Sequence, residues 1–326
     1  MTVRIATRRS ALARAQAFQA AQLIAERTGA RFELVPMATT GDLHPDRPVS
    51  AFETKGLFVD SLREALLDGD CDLAVHSYKD LPTDPVPGVV IGAVPGREDP
   101  RDVLVSRQGY ALAALPATAV VGTSSQRRRC ELLRAHPQLR VVPLRGNLDT
   151  RLRKVADGEF DAIVVAFAGM RRLYVAESAG GCGPLGLPLT AVPLEPDECL
   201  PAPGQGALAI ECRVGDAAAL AVCAAVDDLA THHAVRAERA YLRQLGGGCL
   251  APVGALGRAV SPDQLELVGM LACPLTRKTV RLSLRGPLDQ PERLGLALAH
   301  DIDTAGGAAM LQVIADLRVQ RQQAAH

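Results

Sequence analysis

Short apolar segments alternate with amphipathic ones through the first two thirds of the chain. Continuous apolar runs indicate buried strands, and apolar residues spaced three or four positions apart indicate helices. The predicted strands are Val3–Thr7, Arg31–Met37, Asp72–His76, Val89–Val94, Ala119–Val121, Arg140–Leu144, Asp161–Ala166 and Ala207–Ile210. The predicted helices are Ala11–Arg27, Leu57–Leu67, Gln126–Ala135 and Leu148–Asp157. Because strands that alternate with helices form βαβ units, the pattern predicts two mainly parallel α/β sheets.

The pattern changes in the segment 227–326. A helix at Thr231–Leu245 precedes three strands and two further helices, which is typical of a separate α+β domain. The strands are predicted at Val253–Arg258, Leu265–Leu271 and Val280–Leu284. We therefore expect domain 1 at 1–98 and 206–226, domain 2 at 99–205 and domain 3 at 227–326.

Three segments have little periodicity. Ala38–Lys55 is polar and contains prolines, which predicts a long mobile loop. Ser178–Pro188 is rich in glycine and proline, which predicts an insertion or a flexible loop. Pro201–Gly206 has the same composition and lies between the two α/β units, so we expect a hinge there, with a cleft between the two lobes.

The composition excludes several classes of protein. Basic and acidic side chains number 36 each, which gives no overall attraction to nucleic acid or to an anionic membrane. Aromatic residues make up 3% of the chain, so stacking platforms for single-stranded nucleic acid are scarce. The sequence lacks an apolar run of membrane-spanning length and a signal-peptide core. The eight cysteines include no C-x-x-C pair, which predicts reduced thiols in the cytoplasm and neither a metal site nor a disulfide framework.

Arginines cluster where predicted strands turn into predicted helices. A positive charge at a helix N-terminus opposes the helix dipole by about 0.3–1 kcal/mol per group, so stability alone would favour Asp or Glu. The conflict disappears when an anion binds, because backbone N–H groups, hydroxyl groups and guanidinium groups then converge on it. The turns concerned contain Arg8, Arg9 and Ser10, then Ser124, Ser125 and Arg127–Arg129, and finally Arg145 and Arg151.

These arginines could instead point into solvent, but three such turns spread over two lobes favour a polyanionic ligand between the lobes. A nucleotide is disfavoured because the sequence contains no G-x-x-x-x-G-K-[ST] motif and no strand-linked G-x-G-x-x-G motif. Discrete carboxylates fit better, because a guanidinium group pairs with a carboxylate through two parallel hydrogen bonds. The sequence therefore predicts a ligand that carries several carboxylates.

Two further residues are candidates for chemistry. Asp80 follows an apolar strand and Lys79, where it could form a surface ion pair or, in a cleft rich in arginine, balance a cationic intermediate. His76, inside that strand, is expected to be a packed residue. Cys249 follows three glycines, which leave its sulfur approachable, whereas the cysteines in helices and strands are expected to be small buried hydrophobes.

With these residues identified, the chain resembles the hydroxymethylbilane synthase (porphobilinogen deaminase) family over nearly its whole length. The matching segments are Arg4–Arg8, Lys55–Phe58, Val75–Ser77, Lys79–Asp80, Arg97–Asp102, Gly122–Ser125, Arg127–Arg128, Leu144–Asn147, Thr150–Leu152, Pro203–Ala207 and Gly247–Cys249. The resemblance implies an α/β fold with two doubly wound, periplasmic-binding-protein-like lobes and a hinge, plus a smaller C-terminal α+β domain. It also implies a monomer.

The resemblance implies a transferase of tetrapyrrole biosynthesis. Four porphobilinogen molecules would be added one by one, each with loss of ammonia, to a dipyrromethane cofactor joined to Cys249 by a thioether. Hydrolysis would then release the linear tetrapyrrole hydroxymethylbilane. The implied partner is the small-molecule substrate porphobilinogen. No nucleic acid, membrane or metal is expected to bind.

The resemblance also implies roles for individual residues. The implied catalytic residues are Asp80, Arg8 and Lys79. The implied cofactor-binding residues are Cys249, Ser77, Lys79, Asp80, Ser125, Arg127 and Arg128. The implied substrate-binding residues are Arg8, Ser10, Arg145, Arg151, Arg172 and Gln205, and Lys55 belongs to the implied mobile loop.

Other interpretations stay open at this point. A two-lobed anion-binding protein without catalysis would have similar turns and a similar hinge, but it would have no use for Gly246–Cys249 or for Lys79 and Asp80. A nucleic-acid-binding module would need a basic surface that the composition does not supply. A relative that has lost activity would retain the same fold.

Overall fold

The computed structural model describes residues 2–37, 59–178, 184–246 and 252–323. The chain divides into two compact units. The first unit comprises Met1–Asp99, Arg171–Leu173 and Gln205–His232, and the second comprises Pro100–Met170, Tyr174–Gly204 and His233–His326. The predicted discontinuous first domain has a similar extent, and the predicted division of the remainder into two domains stays a prediction.

The described strands and α-helices are numbered here in chain order. The strands are β1 (Thr2–Arg8), β2 (Arg31–Met37), β3 (Leu73–Ser77), β4 (Val89–Ala93), β5 (Asp102–Ser106), β6 (Val120–Gly122), β7 (Arg140–Val142), β8 (Ala162–Ala166), β9 (Thr190–Pro193), β10 (Leu208–Arg213), β11 (Val253–Ser261), β12 (Gln264–Ala272) and β13 (Thr279–Pro287). The helices are α1 (Ala11–Thr28), α2 (Asp60–Asp68), α3 (Gln126–Ala135), α4 (Leu148–Ala156), α5 (Phe167–Ser178), α6 (Ala217–Ala224), α7 (Leu229–Gln244), α8 (Pro291–Ile302) and α9 (Ala308–Gln323).

The first unit is built on a five-stranded sheet with the order β2-β1-β3-β10-β4. Strands β1, β2 and β3 are parallel, whereas β10 runs antiparallel to both of its neighbours. Small residues of α1, such as Ala17 and Ala20, pack with Ile24 against Val3 and Ile5 of the sheet. The small side chains allow the helix to approach the sheet closely, and this contact fixes the turn between β1 and α1.

The second unit contains a five-stranded sheet with the order β7-β6-β8-β5-β9. Its parallel pairs are β6 with β7 and β6 with β8, and β5 is antiparallel to β8 and to β9. The residues Leu104, Val121 and Val164 from three of these strands share one core with Leu132 of α3. Each α/β sheet therefore contains one antiparallel strand, placed second from an edge.

The second unit also contains a three-stranded antiparallel sheet with the order β11-β12-β13. One core joins Leu267 of β12, Tyr241 of α7 and Leu298 of α8. Gly295 of α8 permits this packing, because a β-carbon at that position would lie 2.3 Å from the carbonyl oxygen of Ala237. Sheet and helices together form the α+β part of the fold.

The structure confirms the predicted fold class of two α/β lobes and a C-terminal α+β region. Four elements were missed by the sequence analysis, namely β5, β9, α5 and α6. The strand β5 is a short apolar run directly after a polar segment, and α5 follows β8 without an intervening turn residue, so neither has a clear boundary signal. The predicted loop Ala38–Lys55 and residues 179–183 of the predicted loop Ser178–Pro188 lie outside the described residues.

Candidate active site

The first turn of interest joins β1 to α1. Ser10 has extended backbone angles (φ −61°, ψ 147°) and caps the helix, since its Oγ accepts a hydrogen bond from the N–H of Ala13 at 3.3 Å. The first turn of α1 contains no acidic residue. Arg8, at the end of β1, is half-buried. The cap and the guanidinium group therefore lie where the sequence analysis expects an anion.

The second group of the first unit follows β3. Ser77 ends the strand, and its hydroxyl group exchanges hydrogen bonds with the amide of Gln16 at 2.8 and 3.0 Å. A 3₁₀ turn over Tyr78–Asp80 follows, in which Tyr78 is buried and Asp80 is exposed. The buried tyrosine anchors the turn, so that the carboxylate of Asp80 faces solvent.

Gln205 connects this turn to the strand β10. Its side chain is 1% exposed, and its Oε1 accepts a hydrogen bond from Lys79 Nζ at 3.3 Å. Its backbone carbonyl accepts a second one from Arg97 Nε at 2.9 Å. The side chains of Lys79 and Gln205, which the sequence analysis assigned to separate functions, are therefore in contact.

Arg172 is the remaining predicted residue of the first unit. Its Nε donates to Gln19 Oε1 at 3.1 Å and its Nη2 donates to the carbonyl of Gly206 at 2.8 Å. No carboxylate among the described residues forms an ion pair with it. Burial lowers the pKa of this guanidinium group to about 10, and the charge of Glu98 offsets only part of that effect. A cavity of about 580 Å³ borders Arg172, with Gln19, Leu23, Arg27 and Asp228 among its lining residues.

In the second unit, Ser125 caps α3 through a hydrogen bond to its Oγ from the N–H of Arg128 at 3.4 Å. The side chains of Arg127 and Arg128 are buried, so they do not point into solvent. Both form ion pairs with Asp102 at 2.8 Å. Asp102 lies at the start of β5, a strand that the sequence analysis missed, so their shared partner was missed with it.

The last two predicted arginines are Arg145, in the turn between β7 and α4, and Arg151, inside α4. Asn147 caps α4 by accepting from the N–H of Thr150 at 2.9 Å. Arg145 is exposed, whereas Arg151 is half-buried and donates from Nε to the carbonyl of Gly146 at 2.8 Å. No carboxylate among the described residues forms an ion pair with Arg151. Burial, followed by the positive charge of Arg128, lowers the pKa of Arg151.

The sequence analysis did not identify Gln16 and Asp102 as site residues. Gln16 is 5% exposed and holds Ser77 in place, and its only sequence signal is a polar residue on the buried face of α1. Asp102 is fully buried at the beginning of an apolar strand. A buried acid in such a position needs a cationic partner. The acidic residue at the start of an apolar strand was therefore the sequence signal for Asp102.

Several predicted features cannot be compared with the structure. Cys249, the predicted anchor, and Lys55 lie outside the described residues. Within the described ranges, no group of three or more His, Cys, Asp or Glu side chains could hold a metal ion. Likewise, no helix in the part of the chain that the structure describes is long and apolar enough to cross a membrane.

The family model for the porphobilinogen deaminase dipyrromethane cofactor-binding domain matches residues 3–221 of this chain. The chain belongs to the porphobilinogen deaminase family. The family's C-terminal domain model matches residues 232–303. The resemblance predicted from the sequence motifs is thereby confirmed, as are the enzyme class and the dipyrromethane cofactor that it implied.

Curated relatives agree with this assignment. Porphobilinogen deaminase from Acidothermus cellulolyticus is 46% identical over 314 residues, which cover 95% of this chain and 91% of that protein. The porphobilinogen deaminase from Roseiflexus castenholzii is 44% identical over 308 residues, which cover 94% of this chain and 97% of that protein. Both alignments extend over nearly the entire length of either partner.

The solved structures that resemble this chain include two periplasmic proteins. The periplasmic VFT2 domain of Bordetella pertussis BvgS matches 69% of this chain and 86% of that domain, with a TM-score of 0.40 and 20% identity. The arginine-specific periplasmic binding protein STM4351 of Salmonella typhimurium matches 69% of this chain and 91% of its own, with a TM-score of 0.36 and 16% identity.

Proposed function

We propose that this porphobilinogen deaminase builds hydroxymethylbilane from four porphobilinogen molecules on a dipyrromethane cofactor attached to Cys249. The observation that carries the proposal is the state of Arg151 and Arg172. Both guanidinium groups are partly desolvated, and neither forms an ion pair with a carboxylate among the described residues. A charge removed from water without a partner is costly, and a carboxylate ligand would offset that cost.

The donor groups at the predicted positions fit a carboxylated pyrrole chain. Guanidinium and ammonium groups can only donate hydrogen bonds, and carboxylates can only accept them. Of the two hydroxyl groups, Ser77 lies at the end of β3 and Ser125 is the N-cap of α3. When bound, the cofactor supplies a covalently held pyrrole to which each new unit is joined.

In the first unit, we assign the reacting groups to the turn after β3. The exposed carboxylate of Asp80 would accept a hydrogen bond from the pyrrole N–H group. It would also balance the positive charge that develops on the substrate as ammonia leaves. Lys79, held by Gln205, would bind a carboxylate of the cofactor, as would Ser77, held by Gln16. Arg8, Ser10, Arg172 and Gln205 would hold acetate and propionate groups of the substrate.

In the second unit, the helix N-termini of α3 and α4 would receive the remaining carboxylates. Ser125, Arg127 and Arg128 would hold the cofactor, and Arg145 and Arg151 the substrate and the growing chain. Arg151 supports this assignment most directly, because its charge is half-buried and has no described counter-ion. An oligomer that gains carboxylates with every step requires such unmatched cations in both units.

The decisive experiment is the intact mass of the purified protein, followed by incubation with porphobilinogen. We expect an adduct of dipyrromethane size that is absent from Cys249→Ser, and a uroporphyrin-type absorbance after acidic oxidation of the product. A protein with no adduct and no product would instead be a non-catalytic anion-binding protein. An adduct retained by Cys249→Ser would place the anchor at another residue.

We also propose that the enzyme acts in the cytoplasm as a monomer, without a nucleic-acid or membrane partner. The six described cysteines are all free, which is compatible with a reducing compartment. The equal numbers of basic and acidic side chains supply no general attraction to polyanions. Light scattering of the purified protein should give the mass of one chain, and a dimer mass would contradict the proposal.

A further inference from the structure

A buried cluster in the second unit joins Asp102, Arg127, Arg128 and Cys199. The carboxylate of Asp102 is 0% exposed, and its two oxygen atoms each face a different guanidinium group. Oδ2 lies 2.8 Å from Arg127 Nη1, and Oδ1 lies 2.8 Å from Arg128 Nη2. A single acid therefore holds both arginines of the predicted cofactor-binding pair.

The two guanidinium groups are fixed in orientation as well as in place. Arg128 uses all three of its nitrogens, since Nε and Nη2 donate to Asp102 Oδ1 and Nη1 donates to the carbonyl of Val164 at 3.0 Å. Arg127 Nη1 also donates to the carbonyl of Leu200 at 2.6 Å. Because Asp102 and Val164 lie on neighbouring strands of the sheet, the arginines are held by the rigid part of this unit.

Cys199 completes the cluster beside Arg127, at the Oδ2 atom of the carboxylate. Its Sγ–H donates to Asp102 Oδ2 at 3.3 Å, and the sulfur accepts from Arg127 Nη1 at 3.4 Å. Burial, and then the charge of Asp102, raise the pKa of this thiol far above its usual range. The thiol therefore keeps its proton and remains a donor to the carboxylate.

Within the cluster, the opposite charges of Asp102 and Arg127 favour each other's ionised form. Burial alone would raise the pKa of Asp102, but the charges of Arg127 and Arg128 hold it well below its usual range. Burial would likewise lower the pKa of Arg127, but Asp102 raises it above the ordinary arginine value. Such a fixed array of charges can present guanidinium groups to a ligand without rearrangement.

We propose that Asp102, supported by Cys199, is a positioning residue that orients Arg127 and Arg128 for the cofactor carboxylates. The inference rests on the proposed function, which assigns those two arginines to the cofactor. Asp102 is 0% exposed, so it would act on the cofactor only through the arginines. A purely structural role would affect folding alone, so the test must separate cofactor capture from stability.

The main variant is Asp102→Asn, which keeps the size of the side chain and removes its charge. Apo-protein is incubated with porphobilinogen, and attachment of the cofactor is followed by intact mass. We expect attachment to slow by at least about tenfold in the folded variant, since charge-assisted hydrogen bonds orient both guanidinium groups. Glu211→Gln serves as the matched control, because it also removes a buried carboxylate from an arginine, at 2.7 Å, and should attach the cofactor at the wild-type rate.

A second readout follows the arginines directly. Nε–H signals of protein labelled with ¹⁵N-arginine report solvent exchange, and Arg128→Lys assigns the signal of Arg128. Exchange at that site should be slow in the wild type and at least about tenfold faster in Asp102→Asn. This measurement needs no cofactor, so it tests the positioning role even when the wild type carries no adduct and the proposed function has failed.

Cys199 provides a milder pair of variants in case Asp102→Asn does not fold. Cys199→Ser keeps a donor to Asp102, whereas Cys199→Ala removes it. We expect slower attachment and faster Nε–H exchange only in the alanine variant. The proposal is overturned when Asp102→Asn behaves as the wild type, when Glu211→Gln slows attachment equally, or when the two Cys199 variants cannot be distinguished.

Discussion

Two kinds of buried arginine occur in this molecule. Arg63, Arg127 and Arg128 face carboxylates that the fold itself supplies, namely Glu211 for the first and Asp102 for the other two. Arg151 and Arg172 are half-buried as well, but the described residues offer them no ion pair. The first kind is satisfied within the folded chain, and the second kind is left with an unmatched charge.

The contrast shows how burial alone fails to identify a binding residue. A guanidinium group with an internal acid stabilises the fold, and the removal of that acid leaves a buried charge uncompensated. A buried guanidinium group without an internal acid destabilises the protein in the absence of ligand. Binding of an anion offsets that cost. Disruption of the first kind should therefore reduce stability, and at Arg127 and Arg128 it should slow cofactor attachment as well. Disruption of the second kind should reduce activity with little effect on stability.

The largest effect is expected for the exposed carboxylate Asp80, which has no buried partner among the residues that the structure describes. Asp80→Ala should lower kcat by about 10²- to 10⁴-fold, the range expected when a group that assists proton transfer or balances charge is removed. Its melting temperature should stay near that of the wild type, because the side chain is exposed. Single-turnover kinetics with porphobilinogen measure the catalytic rate. Near-normal turnover would remove Asp80 from the catalytic group.

Glu211 should control stability at acid pH. Burial alone would raise its pKa, but His76, at 3.2 Å, and Arg63, at 2.7 Å, together lower it to about 2. Because the folded pKa lies below the unfolded value near 4.5, the stabilisation is present above pH 4.5 and disappears as the pH falls through 2. The loss amounts to about 3 kcal/mol of unfolding free energy.

Denaturant unfolding at a series of pH values measures this effect. Glu211→Gln should be less stable at neutral pH and should show a flatter pH dependence between about 4.5 and 2. The exposed Glu33 provides the control, and Glu33→Gln should reproduce the wild-type curve. An unchanged curve for Glu211→Gln would mean that this carboxylate does not stabilise the folded protein.

Arg172 should show the opposite behaviour. Arg172→Leu should reduce kcat/KM for porphobilinogen by about 10- to 100-fold, the loss expected for a charged hydrogen bond to the ligand. Its unfolding free energy should stay within about 0.5 kcal/mol of the wild type, since the removed charge has no described counter-ion. A large loss of stability with unchanged kinetics would place Arg172 among the internally paired arginines.

The smallest effect is expected for Arg151. Arg151→Leu should lower the rate of chain elongation by about three- to tenfold, because Arg145, just before α4, supplies a second guanidinium group. The distribution of intermediates with one to four added pyrroles, read from intact masses, measures elongation. A distribution identical to the wild type would show that the half-buried charge of Arg151 has no ligand.

The sequence predicted most of the regular structure, because the α/β segments have strong apolar periodicity. The predicted helix Gln126–Ala135 has the bounds seen in the structure, since Ser125 provides a clear cap. The strands β5 and β9 were missed because each is a short run with no local boundary signal. Their hydrogen-bonding partners lie far away in the sequence, and only the assembled sheet defines them.

The sequence could predict which residues belong to the candidate site but not which of them contact each other. Helix-capping residues Ser10 and Ser125 were recognisable from their position before an amphipathic segment. The ion pairs of Arg127 and Arg128 with Asp102 could not be predicted, because neither β5 nor α3 has a sequence pattern that indicates contact with the other. The roles of the predicted site residues stay predictions until the variants above are measured.

The single antiparallel strand in each α/β sheet has a consequence for biosynthesis. In the second sheet, every strand comes from one uninterrupted stretch of the chain, β5 to β9, and pairs within it. In the first sheet, Ser77 of β3 pairs with Leu208 of β10, and all five strands of the second sheet are synthesised between them. Pairing of residues so distant in sequence is entropically slow, so the first α/β sheet should be completed after the second one on the ribosome. Until β10 has emerged, β3 and β4 lack the strand that joins them, and an emerging chain exposes both edges to chaperones.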